Sequence, residues 1–316
     1  MTFSRRRLIG AALALPLVAP RIARAEALAG AYSPQAEAIA DGIWMVRGAD
    51  APIAFANGGA IANRAFIATD AGAVLFDPGV SLADGHAIAR LAKAATGQDV
   101  ARVYISHLHP DHALGAAAFD PAIVHALPAT RTELERDGER FADAMYDLLA
   151  GWMKGTPLTL PRGNVTAGEE VFGGRTFRLL ALEGHSGGDL ALLDTATGTL
   201  LAGDLVFNHR APSTPHANLP GWRTSLDTLK MTHHARLLPG HGPLATDGGA
   251  IAQTRDWLDW LEAALRGAVA SGLTMSEAGN LPIPPRFTVL KAARYELQRS
   301  VSHFYPAYEA ELLPRL

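Results

Sequence analysis

The stretch SHLHPDHALG (106–115) sets His107, His109, Asp111 and His112 within six positions, in a chain that has 12 histidines among 316 residues. It follows directly on the β-rich apolar run VARVYIS (100–106). Three more apolar runs end the same way: TFRLLALEG (176–184) leads into His185, TLLAG (199–203) stops at Asp204, and ARLLPG (235–240) stops at His241. Four strands thus each deliver a metal-capable side chain at the carboxyl end. In layered α/β folds that end of a sheet is where ligand sites form, because rigid strands hold the loops there. A fold for this chain must therefore bring four separated strand ends to one place.

The residue types point to metal chemistry. His107 and His109, two apart after a strand, can turn both imidazoles to one centre, with His185 as a third; three imidazoles and an open position describe a catalytic zinc site. Asp111, His112 and His241 would form a second pocket beside it, and Asp204 can bridge the two through its two carboxylate oxygens. Two metals about 3.5–4 Å apart polarise an electrophile, steady a leaving group and lower the pKa of bound water from about 15.7 to about 7. The expected reaction is attack of a metal-bound hydroxide on an acyl or phosphoryl centre, with Asp111 and Asp204 serving catalysis as well as binding. Taken singly, His185 and His241 read as packing or capping histidines and Asp204 as a turn residue; the HxHxDH cluster is what gives them a shared purpose. The chain has no cysteine, so any metal is held by nitrogen and oxygen alone. Two zinc ions are the first expectation, with iron or manganese as alternatives.

Periodicity fills in an α/β chain. Short strands are predicted at IWMV (43–46), AFIAT (65–69), AVLFD (73–77), AIVHA (122–126) and DLALLDT (189–195), and helices near 81–93, 129–149 and 226–233. A Gly/Pro-rich loop spans 151–168, and the order of strands and helices repeats in the two halves. The segment from Asn208 to Trp222 reads as a loop just after Asp204, which makes His209, Arg210, His216 and Trp222 candidate substrate contacts; a solvated loop with an anchoring tryptophan is the alternative. Beyond residue 250, DWLDWLEAALRGAV (256–269) and a last helix near 288–312 form a helical extension. It would pack on the sheets, form a dimer contact or help cover the site.

The first 25 residues read as a signal peptide, with the domain proper over 26–249 and the extension over 250–316. Three arginines in SRRRLIG (4–10) precede the run LIGAALALPLVA (8–19), which is too short to span a bilayer, and ARA (23–25) offers a cleavage point after Ala25. An uncleaved anchor is the alternative. Ser4, Arg5, Arg6, Leu8 and Ile9 resemble the twin-arginine export signal, which implies a periplasmic protein with no stable membrane anchor after cleavage. Loss of Arg5, Arg6, Arg7, Arg21 and Arg24 takes the formal net charge from −3 to −8, so a nucleic-acid partner is not expected. Oligomeric state is not legible.

HLHPDH, GH (184–185), GD (203–204) and PGHG (239–242), with FDPG (76–79), resemble the metallo-β-lactamase fold superfamily over roughly residues 40–245. The resemblance implies an αββα sandwich with metals at one edge of its two sheets. It implies His107, His109 and His185 on the first metal, Asp111, His112 and His241 on the second, and Asp204 shared. Asp77 would orient a ligand imidazole or serve as a structural cap. Without a cysteine ligand the chain is more similar to the glyoxalase II and lactonase branch. HPDHALGAAAF, GDLVFNHRAPSTPHANLPGWRTSLDTL (203–229) and SVSHFYPAYEAELL (300–313) resemble exported hydrolases called quinoprotein relay system zinc metallohydrolases. That resemblance implies a periplasmic quinoprotein partner and leaves the substrate open; the two-metal hydrolase chemistry suits a small-molecule ester, lactone, thioester or amide. Alternatives are a β-lactam-hydrolysing enzyme, an iron-dependent sulfur dioxygenase, or a non-catalytic metal- or quinone-binding protein.

Overall fold

A computed structural model describes residues 33–312; the expected signal peptide and its export motif lie outside the described residues. The strands are β1 (Ala36–Ala40), β2 (Ile43–Val46), β3 (Arg64–Ile67), β4 (Ala73–Phe76), β5 (Val100–Tyr104), β6 (Val124–Ala126), β7 (Gly163–Asn164), β8 (Gly168–Phe172), β9 (Arg175–Leu182), β10 (Asp189–Asp194), β11 (Thr199–Phe207) and β12 (Arg236–His241). The helices are α1 (Leu82–Thr96), α2 (Pro110–Ala113), α3 (Pro128–Leu149), α4 (Leu219–Met231), α5 (Gly249–Ala270), α6 (Met275–Ala278), α7 (Pro285–Thr288) and α8 (Ala293–Leu312). Strands β1 to β7 form one sheet in sequence order, and the second sheet runs β12-β11-β10-β9-β8.

Alternation of side chains along the strands makes a four-layer sandwich. Ile43 and Met45 of β2, Ala65 and Ile67 of β3, and Val74 and Phe76 of β4 pack inward against Phe177, Leu179, Leu190, Leu192, Leu201 and Leu238 of the second sheet. The intervening Val46, Phe66, Leu75 and Val103 face outward and are covered by Ile88 and Ala92 of α1 and Leu134 of α3. On the other side Ala191, Leu193, Leu200 and Ala202 pack against Trp222 and Leu226 of α4, Trp257, Leu258, Leu261 and Leu265 of α5, and Leu297 and Val301 of α8. Central strands apolar on both faces give the unbroken hydrophobic runs seen in the sequence. The helices beyond residue 250 thus form one outer layer of the sandwich.

Three sequence expectations change. The strand expected to stop at Gly203 continues to Phe207, so Asp204 stands within β11 instead of at its end. Gly203 takes the left-handed conformation (φ 53°) and the pairing of β11 with β12 slips on either side of it, and that kink turns the Asp204 side chain to the sheet edge. Helix α4 begins at Leu219, seven residues before the expected start, because the Asn218 side chain accepts a hydrogen bond from Gly221 N and Pro220 falls in the first turn, where a missing N–H costs nothing. The last helix begins at Ala293, after Ala292 takes φ 59°. Strands β1 and β8 have exposed, weakly alternating residues and carry little signal.

Candidate metal centre

All seven expected side chains meet at the carboxyl ends of β5, β9 and β12 and at the kink of β11, and all are buried. Two groups form: His107, His109, His185 and Asp204, and beside it Asp111, His112 and His241. In the first, His109 Nδ1 lies 2.9 Å from His107 Nε2 and 2.9 Å from His185 Nε2. Asp204 faces both groups, with Oδ2 3.3 Å from His185 Nε2 and 3.8 Å from His107 Nε2. Its Oδ1 lies 3.1 Å from His112 Nε2 and 3.3 Å from His241 Nε2. Asp111 Oδ2 completes the second group, 3.5 Å from His241 Nε2 and 3.7 Å from His112 Nε2.

Groups behind these side chains fix which nitrogen faces the centre. Ser106 Oγ–H donates to Asp77 Oδ2 (2.9 Å), so Ser106 Oγ accepts from His107 Nδ1 (2.9 Å) and leaves the His107 Nε2 lone pair inward. His112 Nδ1 donates to Asp77 Oδ2 at 2.7 Å and His241 Nδ1 donates to Ile61 O at 2.9 Å. His109 Nε2 meets His216 Nδ1 at 2.8 Å, which leaves His109 Nδ1 facing its two neighbours. Tautomers set from behind in this way are what metal-ligating histidines require. Asp77 itself sits at φ 63° and also accepts from Ser106 N at 2.7 Å. Asn63, which the sequence did not single out, donates to Pro239 O and Gly242 O on either side of His241. A lone asparagine between apolar runs gives no signal of such a role, whereas Ser106, next to His107, could have been suspected.

At His107, His109 and His185 the electrostatics favour lone pairs over protons. Burial, reinforced by neighbouring imidazoles, holds His107 and His109 well below the usual histidine range, and burial takes His185 down to about 3. For His112 burial acts downward, but Asp204, Asp77 and Asp111 outweigh it and raise the group. Burial would raise Asp204, yet His241, His112 and His185 hold its carboxyl well below the carboxylate range. Asp204 Oδ1 and His112 Nε2 are buried without a hydrogen-bond partner although they face each other. Buried polar atoms left unpaired are costly. A tetrahedral ion about 2.0–2.1 Å from each ligand holds those ligands about 3.3 Å apart, which is close to the spacing of both groups. The donor set therefore fits two metal ions.

The remaining candidates separate. Arg210 and His216 line a cavity of about 270 Å³ that also touches His109, Asp111, Asp204 and His241. Trp222 does not reach it: the indole is fully buried in α4, donates to Leu205 O at 2.9 Å and packs edge-on behind His185, ring centres 4.9 Å apart. His209 is exposed at φ 54°, its N–H bound to Gln253 Oε1, and is not among the residues lining the cavity. Sequence reasoning missed most of the wall. Phe141, Met145 and Leu148 come from α3 and Tyr295, Glu296 and Arg299 from α8.

A family model described as "Metallo-beta-lactamase superfamily" matches residues 58–262, which contain all seven of these side chains. The chain belongs to the metallo-β-lactamase superfamily. Its fold is similar to that of a metallo-β-lactamase from Pontibacter korlensis (TM-score 0.57, 18% identity, covering 72% of this chain and 99% of that one). It is likewise similar to the metallo-β-lactamase FIM-1 from Pseudomonas aeruginosa in its mono-zinc form (TM-score 0.57, 16% identity, 72% and 95%). A curated relative, the Beta-lactamase-like protein 2 homolog of Caenorhabditis elegans, is 22% identical over 183 residues, which cover 58% of this chain. The match spans 56% of that relative's length. The superfamily match ends at residue 262, so most of the C-terminal helical layer lies beyond it.

Proposed function

We propose that the protein is an exported hydrolase that holds two zinc ions and cleaves a small ester, lactone, thioester or amide. The observation that carries this reading is the split carboxylate of Asp204, one oxygen turned to each group of ligands. His107, His109 and His185 would hold one ion, Asp111, His112 and His241 the other, and Asp204 both. Bound there, the ions would polarise the substrate carbonyl and supply hydroxide near neutral pH.

The chain's own residues keep the seven ligand atoms where they are needed. Asp77 steadies His112 directly and His107 through Ser106, while Ile61 O and His216 do the same for His241 and His109. Phe141, Met145 and Leu148 give the cavity an apolar side that sheds water. In hydrolysis the water oxygen bonds to the acyl carbon, the C–O, C–S or C–N bond breaks, and the leaving atom takes a proton. Asp111, on the cavity and turned to the second group through Oδ2 alone, is the carboxylate within reach of that proton, whereas Asp204 serves by holding both groups.

Export by the twin-arginine route, cleavage after Ala25, a periplasmic location and service to a quinoprotein dehydrogenase belong to the same proposal, supported by SRRRLIG and ARA and by the resemblance of 203–229 and 300–313. The decisive test is zinc content and turnover of generic esters and lactones by natively purified protein. Close to two zinc ions per chain with metal-dependent turnover is expected. One ion, unchanged by added zinc, would remove the second site, and iron with oxygen consumption would replace the hydrolase by a dioxygenase. Changing Arg5 and Arg6 together to lysine should trap the precursor in the cytoplasm; continued export would remove that route.

A further inference from the structure

The wall of the cavity carries more positive charge than the fold needs. Glu296 of α8 is fully buried and lies between two guanidinium groups, Oε1 3.4 Å from Arg210 Nη2 and Oε2 3.1 Å from Arg299 Nη1. One carboxylate against two arginines leaves one unit of positive charge at the cavity wall, and all three residues line that cavity. Arg210 is pinned further by Ala51 O at 2.7 Å, and its Nε is buried without a hydrogen-bond partner. Arg299 spends Nη1 on Ser213 Oγ (2.8 Å) and on Glu296. Among the described residues its Nε and Nη2 find no acceptor. That edge of a guanidinium offers two parallel N–H donors, the arrangement that matches a carboxylate.

From this we infer that Arg299, supported by Arg210 and Ser213, is a specificity-determining residue that receives an anionic carboxylate on the substrate. The substrate's apolar body then lies against Ile53, Phe141, Met145 and Leu148, which line the same cavity, and its scissile carbonyl faces Asp111, Asp204 and His241. Glu296 acts as a positioning residue: it neutralises one of the arginines and sets the angle of both. Tyr295 limits the swing of Arg299, whose guanidinium carbon lies 5.5 Å from the ring centre. The carboxylate-binding residues include α8, outside the superfamily match at 58–262, so the preference is a property of this chain's own extension. The placement of the scissile group rests on the hydrolase reading given above, whereas the carboxylate site does not.

Two measurements on zinc-loaded protein separate these. Hydrolysis of the mono(nitrophenyl) ester of adipate is compared with that of the same ester carrying its free carboxylate masked as a methyl ester, and binding of phenylbutyrate is compared with that of phenylbutyramide by calorimetry. Wild type should favour the anion in both. In Arg299→Gln the anion-to-neutral ratio should fall by roughly tenfold to a hundredfold, as removal of a charge-assisted pair predicts, and the loss should lie in KM. Arg299→Lys, which keeps the charge without the paired donors, should fall between. An unchanged ratio in Arg299→Gln, as would follow if the metal ions captured the carboxylate, overturns the inference. So does an equal loss on both members of each pair, which would mark a merely structural role. If neither ester is cleaved but the binding ratio falls, the hydrolase reading fails and the carboxylate site stands.

Discussion

The floor and the wall of the cavity are built on different principles. The floor comes from strand ends and the kink of β11: seven buried metal-capable side chains, four of whose five imidazoles have their outward nitrogen held by Asp77, Ser106, His216 or Ile61 O. The wall comes from two loops and the faces of two helices, and parts of it are open to solvent, with Leu148 55% and Tyr295 41% exposed. The floor has little room to rearrange, because Phe207 stacks on His241 (5.2 Å, 11°) and Trp222 stands behind His185. Rigidity is spent where ligand atoms must converge, and variability is left where a substrate is chosen.

Breaking the floor should have the largest effects. Asp204→Asn keeps the size and one oxygen but loses the shared charge; most of one metal and at least roughly a hundredfold in turnover should be lost, in line with losses at metal-site supports. Circular dichroism should be unchanged, since β11 is held by apolar contacts. Two zinc ions and full turnover in this variant would remove the shared role of Asp204. Gly240→Ala comes next: a Cβ there would lie 1.9 Å from Asp204 Oδ1, so the carboxylate must swing away. A loss on the order of tenfold to a hundredfold in turnover is expected, as for a misplacement of about 1 Å, read together with zinc content.

Weaker changes sharpen the contrast. Asp77→Asn should lower zinc affinity by about 10–100-fold, because the amide cannot accept at both oxygens from Ser106 and His112; competition with a chelator measures it. Trp222→Phe removes the bond to Leu205 O and should lower stability by about 1–2 kcal/mol while leaving KM in place, which a melting curve and a kinetic assay decide between. A raised KM with unchanged melting would make Trp222 a substrate contact after all. Exposed His209 should tolerate alanine within about 0.5 kcal/mol with no change in turnover.

Much of this was legible in the sequence because the relevant signals are local. Strands apolar on both faces read as short runs, and HLHPDH, His185, Asp204 and His241 sit where such runs end. The kink at Gly203 was not legible, since a glycine after TLLAG reads equally as a strand terminus. Trp222 was misplaced because LPGW carries a proline and a glycine, and the cap that lets α4 start there depends on the Asn218 side chain. The wall was hidden for a different reason. In α8 the stripe Ala293, Leu297, Val301, Phe304 and Tyr308 announces a packed helix, but Glu296 and Arg299 find their partners at Arg210 and Ser213, more than eighty positions earlier. No periodicity encodes such a pairing.

The position of α8 after all seven metal-capable side chains sets an order of events. All seven metal-capable side chains have been synthesised by residue 241, while Glu296 and Arg299 follow more than fifty positions later, on the order of 3–12 s at about 5–20 residues per second. A nascent chain therefore carries its whole ligand set for seconds before the segment that selects what may enter has been made.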